Sequence, residues 1–109
     1  MAAMTVRPPQ NLSGLSPNAA VDVLAAEIRV EKAISLERTG EAAAKAVAVL
    51  NALPTDDPER PRLLAEAAEA VWGYFIQREL MGQSSHGAVI RDLAIPREVL
   101  VQLGVRRTP

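Results

Sequence analysis

The chain reads as all-α: a long antiparallel helical hairpin and two short C-terminal helices, completed as a helical bundle by a second copy. Three observations predict this. Apolar residues make up 49% of the 109 positions, and alanine, the best helix former, dominates them. Helix starts and stops recur along the chain, at Ser16-Pro17, Pro54, Pro58, Gly82, Pro96 and Gly104. No stretch alternates apolar and polar residues as a half-buried strand does. Alanine buries little area, so the same composition makes a thin core. Long alanine-rich helices then need a partner surface to persist.

Residues 1–15 are expected to form a disordered arm, with Pro8-Pro9, Gly14 and no hydrophobic periodicity. A single helical domain then spans 16–104, and 105–109 is expected to fray. Ser16 at N-cap with Pro17 at N1 opens the first helix. Its pattern holds to Leu53, where Pro54 stops it. At 1.5 Å per residue that is a helix of roughly 55 Å. Gly40 is a weak point within it, costing about 1 kcal/mol against alanine.

This first helix carries apolar residues on two sides. Val21, Leu24 and Ile28 form one stripe, continued by Ala42, Ala46, Leu50 and Leu53. Val23, Val30 and Ile34 form a second stripe on another side. A surface helix needs one apolar stripe. The second is therefore the candidate oligomer face, with a homodimer as the expected assembly.

Thr55-Asp56-Asp57-Pro58 turns the chain into a second helix, for which Pro61 offers a later start. It runs from about Glu59–Arg62 to Met81, with Gly82 as its C-terminal stop. Leu64, Ala67, Val71, Tyr74 and Met81 share one face, and Ala65, Ala68, Trp72 and Phe75 lie beside it. The one Trp, one Tyr and one Phe fall within four residues, Trp72–Phe75. Aromatic side chains are the largest apolar volumes available, so this turn is the expected packing hub. Ser84 or Ser85 is expected to cap a short helix ending near Leu93. Pro96 opens another, through Leu103 to Gly104.

Candidate site residues cluster after the hub. Arg78 and Glu79 continue the two apolar rows of the second helix, and charges on a buried row need partners. Arg91 and Asp92 have matching signs one short turn later. Arg78 with Asp92, or Glu79 with Arg91, would pin the third helix to the hub. Tyr74 and His86, the one histidine, would sit at the mouth of this polar corner. His86 beside two serines is not a nucleophile–base pair, because such partners meet in space with a third orienting group.

Several chemistries are disfavoured. The absence of cysteine removes disulfides and thiolate ligands. Glu27/Glu31 and Glu37/Glu41 are spaced one helical turn apart, but bundle metal sites add Glu-x-x-His units that this chain lacks. No catalytic, cofactor-binding or metal residue is assigned, and no cofactor is expected. There is no phosphate-binding glycine loop. The net charge of −1 supplies no basic field. A membrane partner is not expected, no apolar run is long enough to span a bilayer, and the N-terminus lacks a signal-peptide core. A cytoplasmic location is the expectation. The alternative to an interaction protein is a small DNA-binding regulator, with residues 88–103 as a degenerate helix-turn-helix. Arg97, Arg106 and Arg107 supply little of the charge such a role needs, so nucleic acid is not the expected partner.

Three stretches carry a resemblance: AAEIRVEKAISL (Ala25–Leu36), AVWGYFIQRE (Ala70–Glu79) and VIRDLAIPREVLVQLG (Val89–Gly104). Together they resemble a family of small, uncharacterised bacterial all-helical proteins, over most of the chain from Asp22 onward. That resemblance implies no activity and adds no catalytic residue. The expected function is a non-enzymatic helical interaction or scaffolding protein.

Overall fold

A computed structural model describes residues 16–107, with side-chain surroundings through residue 104; the expected arm, 1–15, lies outside the described residues. The described chain is all helical. Helix α1 is Pro17–Asn51, α2 Arg60–Leu80, α3 Gly87–Asp92 and α4 Arg97–Arg107. Contacts divide the chain into two compact units, Met1–Glu31 and Lys32–Pro109.

The larger unit holds the core. Here α1 and α2 run antiparallel. Arg60, at the start of α2, donates to the carbonyls of Leu50, in the last turn of α1, and of Leu53, just beyond it. Tyr74, further along α2, lies against Gly40, earlier on α1. Ala43, Val47 and Leu50 of α1 meet Ala67, Ala68, Val71 and Phe75 of α2, with Ile95, Val99 and Leu103 closing the cluster. Residues three and four apart share a helix face, which is why these sets recur at that spacing. The largest fully buried side chains are Leu50, Val47, Val71 and Val99. The core centre is therefore aliphatic. Phe75 is buried, whereas Trp72 and Tyr74 pack partly exposed against the cluster. On α1 the core face is rotated from the expected one. Ala43 and Val47 point inward, Ala42 is exposed and Ala46 half-buried. Turning Val47 rather than Ala46 inward buries the larger apolar side chain.

Gly40 is no mere weak point. A Cβ there would lie 3.1 Å from Tyr74 Cε1 and 3.2 Å from Cζ. The missing side chain leaves the notch into which the Tyr74 ring fits.

Both connections after α2 end in the same hydrogen-bond pattern. At the end of α2, Gln83 N–H donates to the Arg78 carbonyl at 2.9 Å and Gly82 N–H to that of Glu79 at 3.0 Å. At the end of α3, Ile95 N–H donates to Ile90 at 3.0 Å and Ala94 N–H to Arg91 at 3.1 Å. This paired closure needs a left-handed residue at the second position. Gly82 has φ +84° and Ala94 has φ +54°. Glycine adopts this without penalty; alanine does not. Gly82→Ala should therefore cost about 1 kcal/mol. Ala94→Gly should gain roughly half that, because glycine gives some back through the unfolded chain. Equilibrium urea unfolding of the two variants checks both signs; a stabilised Gly82→Ala variant would contradict the assignment.

Several boundaries differ from expectation. Helix α1 ends at Asn51, ahead of Leu53. Helix α2 begins at Arg60, inside the expected window of 59–62, with Asp57 Oδ1 accepting from Glu59 N–H at 2.8 Å in the turn before it, and ends at Leu80, one residue ahead of Met81. Helix α4 continues through Gly104 to Arg107. A single glycine late in a helix lowers its stability without ending it.

The smaller unit contains the start of α1. Ser16 caps it as expected, its Oγ accepting from Ala19 N–H at 3.2 Å. No described residue up to Glu31 is buried. Val21 is 62% exposed, Val30 59%, Leu24 52% and Ile28 51%.

Candidate functional site

The polar corner forms around His86. Glycine at position 82 reverses the chain at the end of α2. That reversal brings residues 83–86 back along the last turn of the helix, and His86 becomes the N-cap position of α3. Its ring stacks on Phe75, with centroids 4.0 Å apart and planes 5° from parallel. Arg78 Nε donates to His86 Nδ1 at 3.1 Å. His86 Nε2 lies 2.9 Å from Glu79 Oε2. A second Arg78 nitrogen donates to the Ser85 carbonyl at 2.7 Å. The guanidinium also sits 5.8 Å from the centre of the Tyr74 ring, within cation–π range.

Chemistry fixes the proton on the ring. A guanidinium only donates, so Nδ1 accepts. The ring proton is then on Nε2 and points at the Glu79 carboxylate. His86 thus bridges an arginine and a glutamate adjacent in sequence, and both ring nitrogens are committed. The His86 side chain is 12% exposed and that of Glu79 31%. A ring so placed has no free lone pair for a metal or for a proton from substrate. Its evident work is to clamp the 81–86 turn onto α2.

Four of the expected corner residues are therefore brought together: Tyr74, Arg78, Glu79 and His86. The expected Arg78–Asp92 pair is not formed. Arg78 turns to His86 and Ser85 instead, and Arg91 and Asp92 are exposed on α3. The physical reason is reach. The turn returns His86 directly over the end of α2, before α3 begins. The expected serine cap is also absent: no side chain caps α3, and Ser85 contributes its carbonyl to Arg78.

A second polar node escaped the sequence reading. Besides its bonds to the Leu50 and Leu53 carbonyls, the Arg60 guanidinium pairs with Glu98 in the first turn of α4. It is 13% exposed. Close by, Asn51 Nδ2 donates to the Ala94 carbonyl at 2.9 Å. Arg60 satisfies carbonyls left open at a helix C-terminus, where positive charge is favoured. The signal was a lone arginine directly before Pro61, a position that reads only as a helix start.

Ile95, Val99 and Leu103 bury the inner face of the 88–103 segment. Its outer face offers Arg97, Glu98, Val101 and Gln102, with Glu98 held by Arg60. Among the described residues no group of three metal-ligating side chains occurs, and no helix is long and apolar enough to cross a membrane.

Beside the hairpin, Ala42, Lys45, Ala46 and Val49 of α1 and Leu63 and Glu66 of α2 line a surface groove of about 320 Å³. The candidate oligomer residues Val23, Val30 and Ile34 are 39%, 59% and 49% exposed.

A family model described as a family of unknown function (DUF6665) matches residues 4–108. No curated protein and no solved structure matches the chain.

Proposed function

The chain belongs to the DUF6665 family, and we propose that it is a non-enzymatic helical interaction protein that assembles as a homodimer through the first part of α1. One observation carries this reading. Five large aliphatic residues, Val21, Val23, Leu24, Ile28 and Val30, stand exposed in a stretch where nothing described is buried. A helix that is apolar on more than one side is stable only when covered. Isolated helices of this length are marginal in water, and packing supplies most helical stability. A second copy is the cover always present at equal concentration. Val23 and Val30, followed by Ile34, form the face we assign to it.

The polar corner supports the non-enzymatic part. His86 has both nitrogens engaged, and a general base must reach a substrate proton. The outer face of α4 offers one described cation, Arg97, against the several phosphate contacts that DNA affinity needs.

Mass measurement by light scattering tests the assembly. The expected result is about twice the chain mass of 11.7 kDa. Val23→Lys with Val30→Lys should reduce it to the single-chain mass, since lysine keeps helix propensity and forbids an apolar contact. A wild-type protein that stays monomeric at its highest soluble concentration would defeat the proposal. A low-salt shift of a DNA probe, lost on Arg97→Ala with Arg106→Ala, would replace it with the regulator.

A further inference from the structure

We infer that the first apolar stripe of α1, Val21, Leu24 and Ile28, seats in the groove between α1 and α2 of a second copy. This rests on the self-association reading above and adds the place on the partner. Three observations lead to it. The stripe is exposed: each of its three residues is more than half accessible. The groove is apolar at its floor, with Ala42, Ala46 and Leu63, and Val49 at its edge is 49% exposed. The two also match in charge.

Helix geometry sets which charges border the stripe. At 100° per residue, Val21, Leu24 and Ile28 define one line along α1. Glu27 and Glu31 flank that line on one shoulder, and Arg29 and Lys32 on the other. The groove has a cation on its α1 rim, Lys45, and an anion on its α2 rim, Glu66. A helix lying in the groove with its acidic shoulder toward Lys45 places its basic shoulder toward Glu66. Glu66 is exposed and already accepts from Arg62 at 2.7 Å, so it takes a second cation at the surface without desolvation. A small apolar ligand would use the floor but neither rim. An amphipathic helix in an apolar groove uses both. In a two-fold pair each copy gives one stripe and one groove, so the contact is made twice.

The chain contains no cysteine, which allows a direct test. A Leu24→Cys variant is mixed with a size-tagged Ala46→Cys variant under mild oxidation. The expected product is the mixed disulfide, formed at least several-fold faster than with Asp22→Cys, which is exposed and lies on neither apolar stripe. Ala42→Glu, at an exposed position, should weaken association at least tenfold while leaving the unfolding temperature of the monomer unchanged. Lys45→Glu should weaken it about threefold, as expected for a rim pair, and Glu27→Lys with Glu31→Lys should restore it. A wild-type monomer would overturn both this inference and the reading it rests on. A wild-type dimer that gives no 24–46 cross-link and tolerates Ala42→Glu would overturn the groove seat alone. Binding of an added apolar dye lost on Ala42→Glu, with the dimer intact, would assign the groove to a small ligand and overturn it too.

Discussion

Leu50→Ala is expected to lower the unfolding free energy by about 3 kcal/mol. Leu50 is fully buried and has the greatest volume among the residues with no accessible surface. It lies where three elements converge. It packs in one cluster with Val71 of α2 and Val99 of α4, and its own carbonyl accepts from Arg60. Truncation removes apolar contact and leaves a cavity that those neighbours cannot all close. In an alanine-rich core the remaining side chains are short, so little can move in. For a domain of this size the loss corresponds to roughly 15 °C in unfolding temperature. Calorimetry at fixed chain concentration measures it, since any self-association makes the transition concentration-dependent. A shift under about 3 °C would mean that the buried aliphatic centre carries little of the stability.

The same residue shows what the sequence makes legible. Leu50 falls on a helical stripe, and that stripe places it inward whichever neighbours accompany it. The choice between Ala42–Ala46 and Ala43–Val47 as its companions is harder. Both sets sit three or four residues apart, and alanine gives periodicity almost no contrast. Only the position of α2 decides, and that position is set by Gly40 accepting the Tyr74 ring. A glycine inside a helix reads locally as a cost. Its value appears only when the opposing residue is known. The helix starts at Pro17 and the stop at Gly82 were legible because proline and glycine act on their own backbone. The run of α4 through Gly104 was not, because tertiary contacts at Val99 and Leu103 outweigh one glycine.

The polar corner was half legible for a related reason. Arg78 and Glu79 continue buried rows, so the need for partners follows from spacing alone. The partner's identity depends on where the turn returns, and the turn is set by the Gly82 dihedral. Opposite charge pointed to Arg91 and Asp92; geometry delivered a neutral-acceptor nitrogen on His86. Histidine offers one donor and one acceptor, so it can satisfy an adjacent cation and anion together. No single charged residue can do that.

Phe75→Ala is expected to cost about 4 kcal/mol, more than its own buried surface accounts for. The ring is both a core residue and the platform for His86. Removing it frees the imidazole to tilt, which loosens the bonds to Arg78 and Glu79. His86→Ala should cost about 2 kcal/mol, from a stacked pair and two hydrogen bonds to charged partners, less the hydration that Arg78 and Glu79 regain. Because the two variants break one shared assembly, the double variant should cost about 1 kcal/mol less than their sum. His86→Phe separates the contributions: stacking is kept, both hydrogen bonds are lost, and the cost should fall between wild type and His86→Ala. Nitrogen-15 shifts of the imidazole give an independent reading, with Nε2 protonated and Nδ1 bare in the wild type. Additive single variants together with a proton on Nδ1 would show that Arg78, His86 and Glu79 are neighbours rather than a unit. The clamp matters beyond its energy, because α3 has no buried residue and no side-chain cap of its own. Beside the partial packing of Val89 and Ile90 on the core, its start is held by the ring at its N-cap position, wedged between an aromatic face and two opposite charges.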